Sequence, residues 1–295
     1  LDRDRVDRYS YRVMKGLTLA SVSLVFVIAF MLFLKSVPIL RSVFIFDLLF
    51  DSSWFPLRGE FGFYPFIVGT VMVTVTAMAL ACPVCILSAI YLSEYASPRV
   101  RGVVKPLIDL LAGIPSVIFG LWGVSYVVPG VRNVVAPWFG VSTTGYCVLS
   151  AGVVLAIMVF PIIISVSEEV LRAVPFEARE SSFVLGATRW ETVKHVVMRR
   201  ASTGILSAVL LGFSRAFGET MAVLMVVGNT PQVPDSLFDA GYTLPSLIAN
   251  NYGEMMSLPL YDSALMFAAL ILMVLVGGFS LLARVTQRRI TRWTS

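Results

Sequence analysis

Two charges stand where the sequence otherwise excludes them. Arg215 and Glu219 interrupt residues 203–227, a run with no other charged side chain. At the centre of a membrane helix each would cost roughly 2.5–3.5 kcal/mol on insertion scales, so each needs a partner or a task. Spaced four apart, they share one face of a continuous helix and can pair. At about 1.5 Å per residue from Thr203, Arg215 lies about 18 Å along, near the bilayer middle. Its guanidinium offers five donors in a planar fork, which suits a phosphate-like oxyanion. A carboxylate one turn away would neutralise it between events and loosen its grip. Two readings stand: a substrate-pathway site, or an ion pair that locks this helix to a neighbour.

No catalytic constellation accompanies them. The single histidine, His195, sits beside Lys194 in a charged segment and reads as solvated or docking. Cys82-Pro-Val-Cys85 is formally a CxxC, but it lies in an apolar run without the strand–helix context of a redox motif. Those two cysteines and Cys147 read as small packing residues, with no disulfide framework and no metal site. No GxxxxGK[ST] phosphate loop occurs, so any use of ATP falls to another chain. The chain is expected to hold no cofactor of its own and to bind no nucleic acid. Asp109 reads as a charge at a helix end.

The elements that carry these residues follow from composition. Of 295 residues 57% are apolar and only 14% charged, against about 25% charged in soluble domains. Mean hydropathy is +0.84. A bilayer core about 30 Å thick needs about 20 apolar residues per helix. Six runs meet that need, at about residues 16–34, 65–92, 110–128, 145–167, 203–227 and 263–283. They are too long and too uniformly apolar for barrel strands. The expected fold is an all-α integral membrane protein with six transmembrane helices, a tail at 1–15, a loop at 168–202 carrying a short helix, and a tail at 284–295. The residue 228–260 stretch is rich in Pro, Asn and Gly and suits short surface or re-entrant helices. Trp54, Phe55, Phe61, Phe63, Tyr64 and Trp138 read as an interfacial belt. The charged first fifteen residues and the length of the first apolar run argue against a cleavable signal peptide, and the opening Leu1 suggests a trimmed start.

Lys and Arg set the orientation. Eighteen of the 23 fall in the two tails and the loops that join helices two to three and four to five; four fall in the other loops, and Arg215 is the remaining one. The positive-inside rule therefore puts both termini in the cytoplasm of a cell whose plasma membrane the chain spans.

The 168–202 loop is the most informative segment. Pro175 suits a helix start, Glu177 and Glu180 a first turn, and Gly186 an end. Phe183, Val184 and Leu185 add apolar surface, making a peg for a partner's groove. Glu180, Ser181, Ser182, Gly186, Ala187, Thr188, Arg189 and Trp190 resemble the EAA loop of ABC-importer permeases. There Glu180 and Gly186 fit the motif, and residues 196–198 take its Ile-x-Leu place. Ser181 and Ser182 stand for two alanines, and Arg199 for a proline. Three more stretches are similar to phosphate-importer permeases of the PstC type. These are residues 89–96 ending helix two, residues 109–123 around Gly113, Pro115, Ser116 and Trp122, and residues 212–229 around Arg215, Glu219 and Met221. The resemblance implies a type I permease fold and inorganic phosphate import by alternating access. It implies partners as well: a PstA-like second permease subunit, two PstB-like ATPase subunits that use ATP-Mg, and a PstS-like extracytoplasmic phosphate-binding protein. Molybdate, tungstate or sulfate are the neighbouring substrates, and an ATPase-independent transporter or channel the different class. Gly113, Gly120 and Gly123 suit close helix contact, while Gly113, Pro115, Ser116 and Pro161 suit packing or a hinge.

Overall fold

The computed structural model describes residues 3–253 and 260–294. Among the described residues six helices are long and apolar enough to cross a membrane: Asp7–Ser42, Tyr64–Tyr95, Ser116–Trp138, Val148–Arg172, Arg189–Gly218 and Tyr261–Leu282. Helix α1 (Arg3–Ser42) is the first span. A cap of α2 (Ile45–Phe50) and the antiparallel pair β1 (Trp54–Phe55) and β2 (Glu60–Phe61) leads to α3 (Tyr64–Ile90), the second span, which closes in a π turn, Tyr91–Tyr95. Helix α4 (Pro98–Ala112) precedes the third span, built from α5 (Ser116–Trp122), α6 (Val128–Gly130) and α7 (Ala136–Trp138) with π turns between. Helix α8 (Val148–Arg172) is the fourth span, and α9 (Phe176–Val184) lies in the loop after it. The fifth joins α10 (Arg189–Thr192) through a π turn to α11 (Met198–Gly218), with α12 (Met221–Val226) beyond a break. Helix α13 (Leu244–Asn251) lies in the next loop, and α14 (Tyr261–Thr294) holds the sixth span.

The core is the contact of α3 with α8, joined by α5, α11 and α12. Small residues set its closeness, because lipid tails give apolar helices no reason to associate and packing must do it. A Cβ on Gly152 of α8 would lie 2.6 Å from the Thr76 side chain. One on Gly120 would lie 2.6 Å from Met225 Sδ, and one on Gly123 2.7 Å from Val154. Cys82 and Cys85 are free thiols in this packing. At the end of the bundle away from α9, the distal face, a second cluster gathers Trp54, Phe61, Phe63, Phe66, Tyr242 and Tyr261. Trp54 meets Phe66 edge-on at 4.9 Å. Trp54, Phe61 and Phe63 are therefore core of a folded cap, not the interfacial belt that their place in a loop suggested; Phe55 and Trp138 remain exposed.

Several boundaries differ from the apolar runs. The third helix does not run through residues 110–128. Pro115 lacks an N–H and pushes the residue before it from helical geometry, so α4 stops at Gly113 and the span starts at Ser116. The fifth does not run through 203–227 either: it starts at Arg189, ends at Gly218, and Glu219 is extended (φ −72°, ψ 123°). The 168–202 loop shrinks from both ends, since α8 continues to Arg172 and the fifth span takes the chain from Arg189. The charged ends at 3–15 and 284–294 extend α1 and α14 as helix. Residues 1–2 and 295, parts of the two expected tails, lie outside the described residues.

Candidate functional site

Helix α9 is held at both ends by its sequence. Pro175, extended at φ −56° and ψ 141°, starts it, and Glu177 sits in the first turn. Gly186 adopts φ +85°, and two bonds close the end: Gly186 N–H to the Phe183 carbonyl at 2.9 Å and Ala187 N–H to the Ser182 carbonyl at 3.2 Å. This is a Schellman termination, which needs a left-handed residue. A Cβ on Gly186 would meet nothing within 4 Å, so backbone conformation and not space calls for glycine. Thr188 then caps α10. Its Oγ1 accepts from Glu191 N–H, and its own N–H donates to Glu191 Oε2 at 2.7 Å. Ser182 and Thr192 join hydroxyls at 2.9 Å across the turn. Glu180, Ser181, Gly186, Thr188, Arg189 and Trp190 are exposed, with Phe176, Val184 and Leu185 beside them. Val184 and Leu185 are 82% and 87% exposed, so this apolar tip has no partner among the described residues.

The clamp that holds this helix to the bundle went unread in the sequence. Arg179, on the inner side of α9, pairs with Glu94 at 2.8 Å, and both side chains are nearly buried. The same guanidinium donates to the Leu171 carbonyl at 2.9 Å and to the Val174 carbonyl. Arg189 donates to the Glu94 backbone carbonyl and lies 4.7 Å over the Tyr95 ring. Two arginines thus tie the loop to the π turn that closes α3 and to the end of α8. A second carboxylate, Glu168 on α8, faces Arg101 at 3.8 Å, Lys105 at 3.9 Å and Arg172 at 3.4 Å. Arg101 also donates to the Leu92 carbonyl at 2.6 Å. Glu94 stood out in the sequence only as part of a similar stretch. The available signal was an arginine flanked by Glu177 and Glu180 in a loop otherwise suited to docking.

Arg215 and Glu219 do not pair. With α11 ending at Gly218, they no longer share a helix face, and no ion pair joins them among the described residues. The Glu219 Oε1 instead accepts from Ala222 N–H at 3.3 Å, capping α12. It sits in a small crevice with Thr70, Thr74, Thr243 and Pro245. Arg215 points from the exposed side of α11, shared with Leu211, Ser214 and Gly218. Its guanidinium has no hydrogen bond or ion pair to another described residue. From Arg200, the charge preceding it, Arg215 is about 22 Å along the helix. Gly113, Pro115 and Ser116 form the joint between α4 and α5. Pro161 is buried inside α8. Gly120 and Gly123, not Gly113, make the close contacts.

Comparison with known proteins places this arrangement. Residues 83–292 match the family described as binding-protein-dependent transport system inner membrane component. The probable ABC transporter permease protein YqgH of Bacillus subtilis (strain 168) is 37% identical over 245 residues, covering 82% of this chain and 78% of that protein. The phosphate transport system permease protein PstC of Xylella fastidiosa (strain 9a5c) is 35% identical over 257 residues, covering 82% and 79%. A chain of a bacterial ABC transporter involved in the import of the acidic polysaccharide alginate shares the fold, with a TM-score of 0.56 at 19% identity over 96% of this chain and 99% of that one. With six spans, a loop helix between the fourth and fifth, and a family match over most of its length, the chain belongs to the inner membrane components of binding-protein-dependent transport systems.

Proposed function

We propose that this chain is one of two permease subunits in an ATP-driven importer of inorganic phosphate. The observation that carries this reading is Arg215, a cation with no ion pair among the described residues, on the open side of a broken span. It stands in a chain similar over most of its length to permeases named for phosphate transport. A guanidinium there would meet a tetrahedral oxyanion with a fork of donors. Glu219, in the break itself, fixes the start of α12 and so the direction in which the path continues. The positive-inside count puts α9 and both termini on the cytoplasmic side. A PstB-like ATPase pair would take the exposed tip around Val184, Leu185 and Trp190 into its grooves. A PstA-like subunit would face Arg215, and a PstS-like binding protein would deliver phosphate at the distal face. ATP-driven closure of the ATPases moves α9, and the Arg179–Glu94 clamp carries that movement into α3, turning access from one face to the other.

The test is reconstitution of the chain with those partners in liposomes, following ATP-dependent uptake of labelled phosphate against sulfate, molybdate and tungstate. Uptake that needs ATP and the binding protein, and that excess sulfate leaves unchanged, is the expected result. Equal or faster uptake of another oxyanion would overturn the substrate assignment.

A further inference from the structure

A groove of about 500 Å³ runs between α11 and α14. Leu210, Phe213 and Phe217 line it from α11, and Val276 and Phe279 from α14. Phe279 meets Phe217 at 4.8 Å and Phe213 at 6.3 Å, so aromatic contacts join the two helices here. Among the described residues that line the groove, Arg284 alone is charged, and it is exposed. Tyr261, at the start of α14, belongs to the distal cluster. Arg284 lies about 34 Å along the helix from it, at 1.5 Å per residue. A bilayer core is about 30 Å thick, so Arg284 reaches headgroup level at the end of the bundle that carries α9. The sequence adds Arg288, Arg289 and Arg292, and it holds no acidic residue after Asp262. The groove is thus apolar through the depth of the core, and its one charge is a cation at a single end.

We infer that this groove holds an anionic phospholipid of the cytoplasmic leaflet. Its headgroup phosphate sits on the Arg284 guanidinium, whose planar fork fits two phosphate oxygens. One acyl chain lies along Leu210, Phe213 and Val276. A neutral lipid would fill the apolar part equally well, so the arginine is what selects the anionic one, as basic pockets between spans do on the cytoplasmic side. The chain packs against the C-terminal half of α11, whose neighbouring face carries Arg215, and it steadies that helix just before the break. The leaflet follows from the positive-inside count. The site itself does not depend on the substrate reading above.

The assembled importer in nanodiscs tests this with two photoactivatable lipids, a phosphatidylglycerol and a phosphatidylcholine that carry the same diazirine acyl chain. Both leaflets of a nanodisc are alike, so the result does not depend on the orientation. Capture is mapped by peptide mass and scaled to capture on α1, whose exposed apolar stretch is the reference within the same chain. Residues 207–217 and 276–284 should take the anionic lipid at least fivefold over the neutral one. Arg284→Gln should remove that preference, and Arg284→Lys should keep most of it. Excess inorganic phosphate should leave capture unchanged. Equal capture of the two lipids, or a preference that survives Arg284→Gln, overturns the site. Loss of capture to inorganic phosphate would assign Arg284 to the free ion. Capture on α1 with none in the groove would assign the groove to a neighbouring subunit. Either result overturns the lipid as its occupant.

Discussion

Arg179 is the residue that ties the loop helix to the bundle. Its fork binds a nearly buried carboxylate and two carbonyls at once, and lysine cannot reproduce that geometry. Arg179→Met would leave Glu94 unpaired in a mostly buried place, an expected loss of about 3 kcal/mol, read as a lower thermal midpoint of the purified chain. Glu94→Gln with Arg179→Gln removes both charges and should recover most of that loss. Transport per ATP should stay low in the double variant if the clamp transmits force, and recovery of normal coupling would make it a structural tie only. The sequence exposed Arg215 and Glu219 because charges in an apolar run are conspicuous. It did not expose Arg179 and Glu94, since charges in a loop are ordinary and these two lie 85 positions apart. Their meeting depends on how α3 and α9 pack, which periodicity does not encode.

At the scale of the element, α9 is legible because its punctuation is local: Pro175, Glu177 and Gly186 each act within one turn. Gly186→Ala keeps the space free but forces φ +85° on a residue with a Cβ, which should cost about 1 to 2 kcal/mol. The loop should fray before the spans do, so hydrogen exchange over residues 182–190 should rise while exchange in α3 and α8 stays slow. Equal protection in the variant would show that the left-handed turn is not needed. Leu185→Glu tests the exposed tip separately. It leaves the fold unchanged and should weaken ATPase binding at least tenfold in a co-purification titration; undiminished binding would place the docking surface elsewhere. The breaks in the third and fifth spans were less legible. Pro115 marked the first, yet the charges of α4 did not reveal how much of the expected helix lay before it. Nothing in composition separates Gly218 and Glu219 from a helix that continues, because the break is stabilised by the cap that Glu219 makes to Ala222 N–H after it forms.

For the whole molecule, six spans and their approximate places follow from hydropathy, whereas the faces they bury do not. The apolar stretch of α1 is exposed almost throughout, as are large parts of α5 and α14, surfaces that lipid or a second subunit would cover. An apolar helix carries no periodic mark to separate lipid from partner. The distal cap escaped sequence reading for the same reason: aromatic residues near span ends suit an interface and a small core equally well. A permease subunit accounts for these features together, with an exposed apolar tip on α9, an ion pair that ties α9 to the bundle, and an arginine on the open side of α11 with no ion pair among the described residues. The most direct measurement compares Arg215→Gln with the parent chain in the complete importer in liposomes, recording phosphate uptake and ATP hydrolysis on the same sample. Assembly and ATP hydrolysis stimulated by the binding protein should stay within about twofold, while uptake falls at least tenfold, equivalent to about 1.4 kcal/mol on the barrier. Uptake at the parent rate with the arginine gone would contradict the account.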